Sequence, residues 1–100
     1  MASRAAVAAV ADLAKVVREV RFHFCEYSSA SEPMRNYVAS NYVALKKANP
    51  EVPLLVRPAP GVSPHIVLRL PKGVETTIPL ADAADPADIA DRLTTTIKTI

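Results

Sequence analysis

At 100 residues, half of them hydrophobic, the chain makes one domain whose core needs neither disulfides nor metal. Twelve lysines and arginines stand against ten acidic residues, a net charge of +2; that is too balanced for an electrostatic nucleic-acid binder, whose basic side chains cluster in a stripe. A single cysteine excludes a disulfide-stapled secreted scaffold, and no apolar run approaches the roughly 20 residues of a membrane span.

The first stretch is alanine-rich, carries Arg4 and Lys15, and meets its first acid only at Asp12. Arginine and serine without acids is the flavour of a mitochondrial presequence. The stretch is short, however, and an uncleaved helical extension over residues 1–16 is the plainer expectation. Val7, Val10 and Leu13, with Ala6, Ala14 and Val17 nearby, recur at helical spacing. Such a helix is too alanine-rich to stand alone and needs a surface to lie against. The domain proper is then 17–100.

Residues 17–24 alternate as a strand, with Val20, Phe22 and Phe24 on one face and Glu19, Arg21, His23 and Cys25 on the other. Ser31 is a suitable N-cap, with Glu32 and Pro33 in the first helical turn. Met34, Val38, Asn41 and Leu45, flanked by Tyr37, Tyr42 and Ala48, continue at helical spacing. Lys46 and Lys47 suit the negative end of the helix dipole, and Asn49-Pro50 stops the helix. The run from Val52 to Arg57 is a strand whose internal proline predicts an edge position. A proline-rich loop spans Pro58 to Pro64. His65–Leu70 and Val74–Leu80 then read as a hairpin through Pro71-Lys72-Gly73, with glycine supplying positive φ. Asp85 caps the last helix, Pro86 starts it, Asp88 supports its first turn, and Ile89, Leu93 and Ile97 form its apolar stripe.

The order is β-α-β-β-β-α, an α/β domain with a four-stranded mixed sheet and a right-handed parallel first pair. This is the minimal thioredoxin-like plan, without the helix between the second and third strands. In that plan Cys25 occupies the redox position between first strand and first helix. Ser28 stands where C-x-x-C has its second cysteine, and Pro64 where such folds often carry a cis-proline. With no second cysteine, a dithiol cycle within one chain is impossible. The omitted helix leaves one sheet face to be covered by the N-terminal segment or by another protein.

Three segments carry a family resemblance: Arg18-Glu-Val-Arg-Phe-His-Phe-Cys25, Tyr42-Val-Ala-Leu-Lys-Lys-Ala-Asn-Pro50 and Glu51-Val-Pro-Leu-Leu-Val-Arg57. Together with Gly73, Glu75-Thr76 and Pro79-Leu80, they resemble the small thioredoxin-like accessory subunit of mitochondrial respiratory complex I (NADH:ubiquinone oxidoreductase). Some mitochondrial ribosomal proteins share that domain. The Leu-Lys-Lys-Ala-Asn-Pro stretch is the most specific piece, because it fixes a helix end and the next strand's start. The resemblance implies a subunit on the matrix side of the inner membrane, docked on the largest iron–sulfur subunit of the peripheral arm. It implies stabilisation of the NADH-oxidising electron-input module, with no cofactor, no catalytic site and no membrane span of its own. Some relatives carry a second cysteine after the second strand, where this chain has Ala59.

Two other readings stay open on the residues alone. Cys25 is the single candidate nucleophile of a monothiol redox protein, but the predicted helix begins several residues later, so its dipole is poorly aimed at the sulfur, and Glu26 would raise the thiol pKa. A half-buried structural cysteine is the plainer expectation. A ribosomal protein with the same domain is the other alternative, and the charge balance counts against it. His23 and His65 face each other across adjacent strands, yet no ligand spacing supports a metal. Arg21, His23, Arg57 and Arg69 are candidate partner-interface residues, since guanidiniums on strands suit bidentate pairing with carboxylates. With only Gly61 and Gly73 in the chain, no phosphate-binding glycine motif can be written.

Overall fold

A computed structural model describes residue 13 and residues 16–99. The predicted N-terminal helix falls outside the described residues except at Leu13 and Val16. Four strands and two helices follow: β1 (Glu19–Phe24), α1 (Glu32–Ala48), β2 (Leu54–Pro58), β3 (His65–Arg69), β4 (Glu75–Pro79) and α2 (Pro86–Thr99). The sheet order is β2-β1-β3-β4, with β1 and β2 parallel and the other pairs antiparallel. This is the predicted thioredoxin-like arrangement, with a loop and no helix between β2 and β3.

The alternation in β1 does what its sequence dictates: Val20, Phe22 and Phe24 are buried and Glu19, Arg21 and His23 are half-buried. The buried positions join Leu54, Ile66, Leu68 and Ile78 from the other strands on one face. Met34, Tyr37 and Leu45 of α1 pack there, as do Ile89, Leu93 and Ile97 of α2. Phe22 meets the Tyr37 ring in a tilted pair at 6.4 Å between centroids. Both helices therefore cover the same face. Leu13 and Val17 enter this core as well.

Helix ends follow the sequence with one exception. Asp85 Oδ1 accepts the Asp88 N–H at 2.9 Å while Asp88 Oδ2 accepts the Ala84 N–H, a reciprocal cap for α2. At the end of α1, the Asn49 N–H and its Nδ2 both donate to the Leu45 carbonyl, at 2.9 and 3.0 Å. The same side chain's Oδ1 accepts the Leu13 N–H at 3.2 Å, tying residue 13 to the helix terminus. Ser31 is the exception, because it precedes α1 but makes no side-chain cap. Its hydroxyl accepts the Cys25 N–H instead, at 3.0 Å.

Pro53 precedes β2, which is an edge strand as the proline predicts. The hairpin between β3 and β4 turns on two residues with positive φ, Gly73 at 77° and also Lys72 at 68°. A primed turn needs both, and the sequence supplies glycine only for the second.

Candidate functional site

Two features share the C-terminal end of β1: a thiol nest and the uncovered sheet face. The alternation predicts Cys25 on the exposed side with His23. The strand stops at Phe24 instead, the chain turns, and Cys25 is 4% exposed. Three anchors fix that turn. Ser31 holds the Cys25 N–H, and Arg35 Nη1 donates to the carbonyls of Cys25 at 2.9 Å and Ser28 at 2.8 Å.

The sulfur accepts the Tyr27 and Gly61 N–H groups, each at 3.4 Å. These donors, Tyr27 first and then Gly61, with lesser help from the N–H and hydroxyl of Ser28, hold the thiol pKa down at about 7. Burial opposes them only weakly. The sequence pointed the other way, toward a poorly aimed dipole and a carboxylate-raised pKa. What lowers it is a loop of backbone amides, which no helix-dipole argument contains. Gly61 is the residue sequence reasoning passed over; its φ of +73° turns the β2–β3 loop back onto the sulfur. Ser28 does meet Cys25. Pro64 is buried and its carbonyl accepts the Leu80 N–H at 2.9 Å. The peptide bond before it is trans, like every other among the described residues.

The second feature is the sheet face opposite both helices, over which no described element lies. Its registers give rows of side chains across the strands. The outermost row runs Arg57, His23, His65, Pro79, and the next runs Leu55, Arg21, Val67, Thr77. A third row holds Glu19, Arg69 and Glu75. The His23 and His65 rings are stacked, 4.6 Å apart and 8° from parallel. His65 Nδ1 donates to the Ser63 carbonyl at 2.7 Å, which fixes its ring. The His23 pKa lies below its ordinary 6.5, chiefly from burial, then from the charges of His65, Arg21 and Arg57. Glu19 accepts from Arg21 at 3.2 Å and lies 3.7 Å from Arg69.

The interface candidates Arg21, His23, Arg57 and Arg69 thus share one face, while Cys25 turns away from it. Among the described residues no three His, Cys, Asp or Glu side chains converge as a metal site requires. None of the described helices is long and apolar enough to cross a membrane.

Comparison with known proteins covers two of the three segments quoted above, Tyr42–Pro50 and Glu51–Arg57. The mitochondrial ribosomal protein L51 / S25 / CI-B8 domain matches residues 34–84. The chain is 38% identical over 74 residues to NADH dehydrogenase (ubiquinone) 1 alpha subcomplex subunit 2 of Arabidopsis thaliana, spanning 74% of this chain and 76% of the relative. The subunit of the same name in Mus musculus is 39% identical over 64 residues, 64% of this chain and 65% of the relative. The NADH-ubiquinone oxidoreductase 10.5 kDa subunit of Neurospora crassa is 38% identical over 71 residues, 71% and 76% of the two lengths.

Proposed function

The chain belongs to the mitochondrial ribosomal protein L51 / S25 / CI-B8 domain family, on the complex I branch rather than the ribosomal one, and from that premise we propose that it works as a non-catalytic accessory subunit on the matrix side of respiratory complex I. The alignment to oxidoreductase subunits of a plant, a mouse and a fungus, over most of both chains in two of them, carries this reading. It makes the chain mitochondrial and its partners other complex I subunits. The largest iron–sulfur subunit of the peripheral arm is the proposed contact.

The work is packing. A preformed sheet-and-helix body buries against a larger subunit and restricts its motion, stabilising the electron-input module without touching an electron. Residue chemistry supports the absence of turnover: one thiol in the chain, covered by its own loop, has no second thiol with which to cycle. The division at residue 17 between an extension and the domain belongs to the same proposal.

The lowered thiol pKa is the one observation that favours a monothiol redox reading. Access opposes it, because a nucleophile must reach its substrate as well as ionise. Sedimentation of a detergent extract of mitochondria tests the main reading. Co-migration of this chain with NADH dehydrogenase activity at very high mass is expected. Migration with ribosomal RNA, or as a free small protein whose Cys25 takes iodoacetamide at mildly acidic pH, would sink it.

A further inference from the structure

We infer that the uncovered sheet face docks a carboxylate-bearing segment of a neighbouring complex I subunit, with Arg57 and His23, the latter stacked on His65, receiving the carboxylate and Leu55 and Val67 meeting the apolar groups around it. The inference rests on the accessory-subunit reading above.

The sheet edges argue first. A partner could add a strand only where backbone groups are free. In β2, Pro53 and Ala59 face β1, shown by the bonds Val20 N–H to Pro53 carbonyl and Ala59 N–H to Phe24 carbonyl. The outward groups are then those of Leu54, Val56 and Pro58. The Leu54 carbonyl is taken by the Tyr42 hydroxyl at 3.1 Å, and Pro58 has no N–H. In β4, Val74 and Leu80 face β3, so Glu75, Thr77 and Pro79 point outward. Pro79 has no N–H, and its carbonyl accepts Arg92 Nη1 at 3.3 Å. Each edge is blunted by a proline and by a helix side chain on a carbonyl. That directs docking to the face.

The face sets two apolar side chains, Leu55 and Val67, among charged and polar ones. Leu55, Val67 and both histidines are half-buried although no described element lies over them. Its charges are unevenly matched. Around Glu19, Arg69 and Glu75 they cancel, through the Glu19 ion pairs and the Arg69–Glu75 register. The row Arg57-His23-His65-Pro79 holds no acid, and Arg57 has no carboxylate partner among the described residues. Arginine's fork accommodates a carboxylate in bidentate fashion, and the His23 imidazole beside it supplies a further donor, while His65, whose Nδ1–H is held by the Ser63 carbonyl, buttresses His23 by stacking. At ordinary strand spacing the face measures roughly 300 Å², well under the roughly 800 Å² per partner of a standard interface. It acts as an anchor within a larger contact.

The test is replacement in cells lacking the native chain. Arg57→Glu reverses the anchor; Val43→Glu makes an acid on the outer side of α1, where Val43 is 64% exposed. Incorporation into complex I on native gels should fall by about tenfold or more for R57E and stay within about twofold for V43E. Both purified proteins should melt like the wild type. In complexes assembled with Arg57→Lys, a water-soluble carbodiimide should couple the introduced amine to an aspartate or glutamate of another subunit. Wild-type incorporation of R57E overturns the inference, as does coupling only to this chain's own acids. A purified wild-type dimer that R57E dissolves would hand the face to a second copy. Absence of the wild-type chain from complex I would instead refute the accessory-subunit reading itself.

Discussion

Asn49→Ala removes the side chain that ties residue 13 to the end of α1. Asn49 is 3% exposed, and its amide donates to the Leu45 carbonyl and accepts the Leu13 N–H. The Leu45 bond is redundant, because the Asn49 backbone N–H reaches the same oxygen, so its loss costs about 0.5 kcal/mol. The Leu13 N–H is different. It is buried, and without Oδ1 it has no acceptor, which costs about 1–3 kcal/mol. Together these give about 2 kcal/mol, or a fall in Tm of roughly 10 °C for a domain of this size. Urea melts of wild type and variant, followed by far-UV circular dichroism, measure it directly. Asn49→Asp sharpens the test. It keeps the acceptor for Leu13 but sets a carboxylate against the Leu45 carbonyl and the negative helix end. Its deficit should exceed that of alanine at neutral pH and shrink near about pH 4, where the acid regains a proton. A change under about 0.5 kcal/mol for N49A would mean that the Leu13 bond adds nothing to stability, and the reasoning would fail.

Lys72 holds φ of 68° without a glycine's freedom, so Lys72→Asn should stabilise the fold by about 0.5–1 kcal/mol, read from the denaturation midpoint. His23 has a folded pKa below its ordinary 6.5, so its contribution is complete above pH 6.5 and is lost as pH falls through the folded value. His23→Gln should flatten the stability profile below pH 6.5, and an unchanged profile would contradict the half-buried, cation-crowded ring. Cys25 likewise has a lowered folded pKa, so the thiolate adds stability that is complete above the ordinary 9.0 and is lost as pH falls through about 7. The stability gap between wild type and Cys25→Ser should widen from about pH 7 to 9, while the folded thiol stays slow to alkylate and complex I assembly is unchanged.

The fold was legible because its local signals agree with one another. Period-two alternation in β1, the Asp85-Pro86-Asp88 cap and the proline before β2 each dictate one outcome. The thiol nest was not legible, because it depends on where two loops meet. Glu26 and the late helix start argue against a low pKa for Cys25, and only the fold brings the Gly61 N–H to the sulfur across 36 positions of sequence. Ser31 misled for a related reason. Its position says N-cap, but a turn returning from β1 brings the Cys25 N–H to the same hydroxyl. The sheet face lay between these cases. Alternation places Arg21 and His23 together, and pairing of β1 with β2 and β3 then adds Arg57 and His65.

Ionisation and access part company at Cys25, and that separation explains what remains of the redox position. Backbone N–H groups lower a thiol pKa wherever they point at sulfur. Here the amides come from the two loops that cover the sulfur, Tyr27 on one side and Gly61 on the other. Moving either loop to admit a substrate would remove one of the donors that favour the thiolate, so opening costs part of the ionisation it would expose. Arg35 stiffens the first loop through two carbonyls, and Ser31 anchors Cys25 itself. The sulfur thus joins the β1–α1 turn to the β2–β3 loop, which leads directly into the His65 end of the open face. On the docking proposal above, that joint holds Arg57 and the histidine pair in register for the partner's carboxylate. A redox site would need the same joint to move.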